Sequence, residues 1–189
     1  MPLALKISGD PTQATRQLKR RLARATPRAA AAGINRAAQG AFTLSVREIQ
    51  KDVGASSQKT IRRNLSLFKA SAEKPRAELR ARSTKRERIP IFELGPRPRS
   101  VTRRRPAGGV RYGPAQKLIP GSFIARMKSG HVGVFKRLGQ ARRPIIELFG
   151  PSVALVFSRR KITDKIRAYL REKVPQEITR ALRFAERSA

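Results

Sequence analysis

The chain's hydrophobic periodicities predict an α+β fold: N-terminal helices, a central mostly antiparallel sheet with a basic β-arm or loop, and a C-terminal helix. Three observations carry this. Apolar residues recur at helical spacing from Ala14 to Val53, alternate with polar ones through the middle of the chain, and step by four from Ile162 to Leu182. A chain of 189 residues, 39% hydrophobic, is expected to form one compact structural unit. Its parts are an N-terminal helical region (1–72), a β-sheet region (73–150) with a basic arm at about 95–112, and a C-terminal helical region (151–189). With no Trp, the core must rest on Leu, Ile, Val and Ala.

Asp10-Pro11 opens the first helix, since Asp caps and proline's fixed φ suits the first helical position. Thr26-Pro27 repeats that punctuation and predicts a second helix, running through Ile34, Ala38, Phe42 and Ile49 to Val53, with Gly54 as its stop. Gly33 and Gly40, seven residues apart, face the same way; they either admit a closely packed helix or simply weaken their own. Residues 56–68, SSQKTIRRNLSLF, read as a short basic helix capped by Ser56 or Ser57.

The period then changes. Ala77, Leu79 and Ala81 alternate with Glu78, Arg80 and Arg82 as a strand does, and RIPIFELGP (88–96) is a second strand that Pro90 assigns to a sheet edge. Residues 95–109, rich in Pro, Gly and Arg, form a long loop or a basic arm turning at Gly108-Gly109. In KLIPGSFIARMKSGHVGVFKR (117–137), Phe123, Ala125 and Met127 alternate with Ser122, Ile124 and Arg126. Ser129-Gly130 supplies a two-residue turn, and Val132 and Val134 return on the partner strand. Gly121, Gly130 and Gly133 serve that hairpin's turns and close backbone approach. RRPIIELFGP (142–151) is one more strand, and the helix that follows is kinked or split at Pro175.

Charge bounds the function. Forty-four Lys and Arg against twelve acids give a net +32, which repels itself unless a polyanion or an acidic partner surface neutralises it. Nucleic acid is the usual polyanion and a membrane its rival. No apolar run approaches the roughly 18 residues of a membrane span, and MPLALKISGDP is too short and too soon interrupted for a signal peptide. A soluble protein without membrane contact is therefore expected. The absence of cysteine removes disulfides, thiolate catalysis and cysteine-based metal sites.

No enzyme is expected: no catalytic, metal or cofactor-binding residue stands out, and no cofactor is implied. The single histidine, His131, sits beside a glycine turn and reads as a turn residue. No cluster of metal ligands and no glycine-rich phosphate loop is evident. Two basic segments remain. EIQKDVGASSQKTIRRNL (48–65) has a helix–Gly–helix pattern, with Ile49 and Val53 under Ile61 and Leu65 and with Gln58, Lys59, Arg62 and Arg63 outward. It is either a helix-turn-helix reader of DNA or a packing corner. Arg97, Arg99, Arg103, Arg104 and Arg105 suit phosphates through the planar fork of arginine, and equally a solvated loop or an acidic protein neighbour.

Several segments resemble the minor tail protein Z family of lambda-like phages and prophages. Lys117 to Ala125, Ser129 to His131, Gly133 to Phe135 and Pro144 to Ser152 reproduce its Lys-Leu-Ile-Pro-Gly-x-Phe-Ile-Ala run, Ser-Gly-His turn, Gly-Val-Phe strand and Pro-Ile-x-Glu-x-x-Gly-Pro-Ser segment. INRAA (34–38) and KTIRRNLSLFKAS (59–71) echo its N-terminal half, whereas residues 83–116 and the C-terminal helix match poorly. The resemblance implies a tail completion protein of the virion, joining tail to head at the tail top or neck after assembly in the host cytoplasm. It implies self-association, as a hexameric ring around the DNA channel. Its neighbours would be neck and tail proteins such as the tail terminator, tail tube or head-completion rings, with phage DNA as a further contact. The hairpin residues Gly121, Phe123, Gly130, His131, Gly133 and Phe135 are then structural. The alternatives are a sequence-reading helix-turn-helix DNA-binding protein and a basic ribosome-associated protein.

Overall fold

A computed structural model describes residues 11–82, 88–98, 101, 108–141 and 143–188, with side chains from residue 26 onward. Four helices are described: α1 (Pro11–Val53), α2 (Lys59–Asn64), α3 (Val153–Phe157) and α4 (Arg160–Arg187). The strands are β1 (Leu65–Phe68), β2 (Glu78–Ala81), β3 (Arg88–Pro90), β4 (Val110–Tyr112), β5 (Lys117–Ile119), β6 (Ser122–Arg126), β7 (Val132–Arg137), β8 (Ile145–Glu147) and β9 (Phe149–Ser152). The strand pairs given a register are antiparallel, and the fold is α+β as the periodicities predict. The chain divides into two units, one of residues 1–38, 69–78 and 170–189, the other of 39–68 and 79–169.

The helix predicted to end before Thr26 does not end there: α1 continues through Pro27 as one helix of 43 residues. An interior proline forfeits a backbone hydrogen bond and costs about 3 kcal/mol. The alanines at 29–32 and 37–38 are the best helix formers, and Ala29, Ala31 and Ala37 are buried, so propensity and packing both favour continuation. Pro175 likewise lies inside α4 and does not split it; the break falls earlier, at Ser158-Arg159, between α3 and α4. At its start Ser152 caps α3, accepting the Leu155 N–H at 3.2 Å.

In the first unit, Gly33 is a true close-approach glycine. A Cβ at this position would lie 2.6 Å from the Ile178 Cα and 2.7 Å from the Glu177 carbonyl oxygen of α4. Asn35 fastens the 69–78 segment to α1: its Nδ2 donates to the Ala70 carbonyl at 2.9 Å and its Oδ1 accepts the Ala70 N–H at 2.7 Å. These two bonds join INRAA to KTIRRNLSLFKAS, so the two family echoes meet in space.

The second unit holds most of the buried apolar side chains, among them Ile49, Ile61, Ile89, Leu94, Ile124, Val134, Val153 and Ile162. Three expectations change here. Leu65–Phe68 leaves the predicted helix to become β1, paired with β2, because its apolar residues alternate. The strand at 88–96 keeps only Arg88–Pro90 and then tightens into a 3-10 turn, Ile91–Leu94, that buries Ile91 and Leu94. The strand at 142–151 divides at Leu148, so β8 pairs with β7 and β9 with β3. Leu148 itself donates its N–H to the Val134 carbonyl at 2.8 Å. Ile91, Val110, Ile124 and Val134 form the core under these strands, with Phe92, Tyr112, Ile119, Val132 and Leu148 packed around them.

The two α1 glycines separate cleanly by experiment. Gly33→Ala meets backbone atoms, which cannot rotate away, and is expected to lower stability by about 2 kcal/mol: overpacking costs about 1–3 kcal/mol and alanine's helix propensity returns less than about 1 kcal/mol. Gly40→Ala meets the hydroxyl end of the Tyr169 side chain, which can swing, and should lower the thermal midpoint distinctly less. Equal losses in thermal unfolding would contradict the close contact at Gly33.

Candidate nucleic-acid and partner-binding surface

The corner after α1 ends by the physics expected of Gly54. Its φ is +67°, and the following N–H, of Ala55, reaches back to the Gln50 carbonyl at 3.1 Å, closing the helix C-terminus. Ile49, Val53, Ile61 and Leu65 are all buried, as the spacing predicts. The outward residues divide. Lys59 and Arg63 are exposed, but Gln58 is half-buried and donates to the Gln50 side chain at 2.8 Å. Arg62 donates to Gln58 Oε1 at 3.1 Å and lies over the Phe42 ring, 5.8 Å from its centre. No side-chain bond caps α2 from its N-cap residue Gln58; Ser57 Oγ instead accepts the Lys59 N–H at 3.1 Å, and Ser56 donates to the Glu93 carbonyl. With six residues, α2 is about 9 Å long and runs straight into β1. Half of the predicted reading face is therefore occupied in holding the corner together.

Arg97 forms an isolated antiparallel bridge with Arg111 of β4. Its N–H donates to the Arg111 carbonyl at 2.8 Å and the reverse bond is 3.0 Å, which extends the β4–β5 hairpin toward the basic arm. Gly108 and Gly109, where the arm was predicted to turn, have φ of +83° and +116°. Arg97 is exposed; Arg99, Arg103, Arg104 and Arg105 lie outside the described residues.

The hairpin of β6 and β7 is in register from Ser122↔Lys136 to Arg126↔Val132. Its turn is one residue longer than predicted. Met127 and His131 face each other through a 2.7 Å bond from the Met127 N–H, Gly130 donates back to the Met127 carbonyl at 2.9 Å, and Gly130 takes φ +83°. That is a three-residue loop with glycine in the left-handed position. Ser122 and Ile124 are the buried residues of β6, and Ser122 is an anchor the apolar pattern did not reveal. Its hydroxyl donates to the Ile119 carbonyl at 2.7 Å and accepts the Val110 N–H at 2.9 Å. On the other face Phe123 stacks obliquely with Phe135, ring centres 6.3 Å apart.

His131 Nε2 lies 2.8 Å from Glu147 Oε1 and its ring meets the Phe135 edge at 90°. Gly133 makes this possible, for a Cβ there would come within 2.7 Å of the same carboxylate oxygen. The pair braces the hairpin tip against β8. Half of the histidine side chain is in water, so the brace contributes about 0–1 kcal/mol.

Two acids of α1, Glu48 and Asp52, are one helical turn apart and pair with Lys165 and Arg159 in the second unit. In the first unit a different surface emerges. Arg36 on α1 and Arg180, Arg183 and Arg187 on α4 line a groove of about 770 Å³ with Phe184, Thr179 and Gln176. Reading α4 only for its apolar ladder missed this; arginines at i, i+3 and i+7 were the available signal. Among the described residues, no group of three His, Cys, Asp or Glu gathers and no helix is long and apolar enough to cross a membrane.

A small, strongly basic α+β protein is thus defined, with exposed cations at Arg97, at Lys59 and Arg63 of the corner and along a helical groove. Residues 10–188 match the family Prophage minor tail protein Z (GPZ), and the chain belongs to that family. It is 33% identical over 126 residues to the Tail completion protein of Escherichia phage N15, covering 64% of this chain and 65% of that relative. To Tail completion protein Z of Escherichia phage lambda it is 29% identical over 183 residues, covering 90% of this chain and 91% of that protein. The alignment with the N15 protein thus spans just under two thirds of that relative's length. No solved structure matches the chain.

Because Gly130 faces open space, only its backbone conformation resists substitution. Gly130→Ala should cost about 1–2 kcal/mol and Gly130→Asn less, since asparagine tolerates the left-handed region. Chemical denaturation of the two variants checks this; equal losses would refute the three-residue loop.

Proposed function

We propose that this protein is a structural component of the virion that completes the tail and helps join it to the head, acting by assembly and not by catalysis. The observation that carries the reading is the family match from residue 10 to residue 188, which includes the whole 117–152 hairpin block. The names of the N15 and lambda relatives supply the role. In this reading copies of the chain close into a ring at the top of the tail, six if the ring follows the usual tail symmetry. Neck and tail proteins such as the tail terminator, tail tube or head-completion rings are its neighbours.

The physical parts suit such a role. A subunit clasped on several sides needs a sheet that keeps its shape, and the β6–β7–β8 sheet has its register fixed by a glycine loop, an aromatic pair and a cross-strand His–Glu contact. The net charge of +32 is available for the DNA end or for acidic surfaces of neighbouring rings. Arg97, Arg99, Arg103, Arg104 and Arg105, with Lys59, Arg62 and Arg63, are the residues offered for that contact.

Imaging particles from a phage or prophage that lacks this gene tests the role. Heads and tails that fail to unite or to infect, restored by the gene in trans, are the expected result. Fully joined, infectious particles without it, or its absence from purified virions, would overturn the reading.

A further inference from the structure

We propose that the arginine groove of the first unit binds a single-stranded nucleic-acid segment, with arginines on its phosphates and Phe184 stacked on a base. This deepens the proposed function and rests on that reading for the source of the strand.

The groove is built from a face of α4 and one residue of α1. Arg180, Arg183 and Arg187 recur at helical spacing and extend about 10 Å along the axis, while Arg36 approaches from α1. All four cations are arginines, whose planar forks suit phosphate oxygens better than the point charge of lysine does. No carboxylate lines the groove, and among the described residues none of the four makes an ion pair. This contrasts with the second unit, where Arg159 and Lys165 are answered by Asp52 and Glu48.

The aromatic residue decides between ligands. Phe184 is 71% exposed, the most exposed of the large apolar side chains described, and it stands among these arginines. A phosphate backbone or an acidic protein would each satisfy the charges alone. A ring left in water beside them adds something only for a ligand that presents a flat apolar face. Unpaired bases do so, and paired bases, stacked within a duplex, do not; cationic grooves with stacking rings are how proteins hold single strands without reading sequence. Thr179 adds a hydroxyl within the groove for a further phosphate or sugar contact.

The test is fluorescence anisotropy of the purified full-length chain with a short labelled oligothymidine across a salt series. The triple variant Arg180→Ala, Arg183→Ala, Arg187→Ala should bind at least tenfold more weakly, with the log–log salt slope shallower by about 2, since single strands give about 0.7 per phosphate contact. Phe184→Ala should lose roughly tenfold in affinity at unchanged slope, and Phe184→Tyr should restore it. These side chains are exposed, and circular dichroism of each variant confirms folding. Binding and slope unaltered in the triple variant would overturn the proposal. Duplex bound as tightly as single strand with Phe184→Ala silent would overturn it in favour of charge alone. Stronger binding of polyglutamate in the same groove would overturn it in favour of an acidic protein. The readout uses purified protein, so its failure leaves the tail-completion reading standing, and that reading fails only in particles.

Discussion

Electrostatic self-repulsion is the constraint under which this chain folds. With 44 cations and 12 acids, most of its surface carries one sign, and compaction brings like charges together. The few acids are placed where they matter locally: Glu48 and Asp52 meet Lys165 and Arg159, and Glu147 meets His131. The Lys173 ammonium, by hydrogen bond and charge, holds the neighbouring Glu172 carboxyl below the usual carboxylate range. The partly buried pairs of Glu48, Asp52 and Glu147 contribute about 0–1 kcal/mol each. A fully buried Ile or Val contributes about 1.5–3 kcal/mol, and the second unit buries Ile49, Ile61, Ile89, Ile124, Ile162 and several valines. Apolar burial therefore holds the fold, while the ion pairs set local geometry.

That division of labour connects fold to role. The core beneath β4, β6 and β7 is small and aliphatic, and around it the backbone is fixed by specific devices: the Ser122 hydroxyl, the Gly130 loop and the glycine that lets Glu147 reach His131. In the proposed role such a sheet serves as a rigid element between neighbours. The four groove arginines of the other unit, without an ion pair among the described residues, are offered to a polyanion. Their concentration in one groove is what distinguishes a site from a diffuse basic surface.

Much of this was legible in the residues. The change of period from helical to alternating gave the α+β class and Gly54 ended its helix in a left-handed conformation, while the two readings left open for Gly33 were decided only by the backbone of α4 beside it. Pro27 misled because a local breaker was weighed without its alanine-rich context, and of the two outcomes expected at Pro175 the split does not occur, since α4 runs through it. Leu65–Phe68 reads equally as the end of a basic helix or the start of a strand, and only pairing with β2 decides. The three-residue loop was hidden because Ser-Gly fits a shorter turn as well. Ser122 and the Asn35–Ala70 bonds are long-range polar contacts, which no periodicity encodes. Arg36 and Arg183 come together only through the fold, so the groove was visible in the sequence merely as spacing on one helix.

Forty-four cations exceed what twelve acids can neutralise within the chain, and in the proposed role a partner answers the remainder. Thermal unfolding of the isolated protein as a function of sodium chloride tests the resulting self-repulsion most directly. Raising salt from about 0.05 to 0.3 M shortens the screening length from more than 10 Å to well under it. If self-repulsion dominates, the midpoint rises over this range. A midpoint that stays level or falls would mean that internal ion pairs already balance the charge and that self-repulsion does not limit the fold.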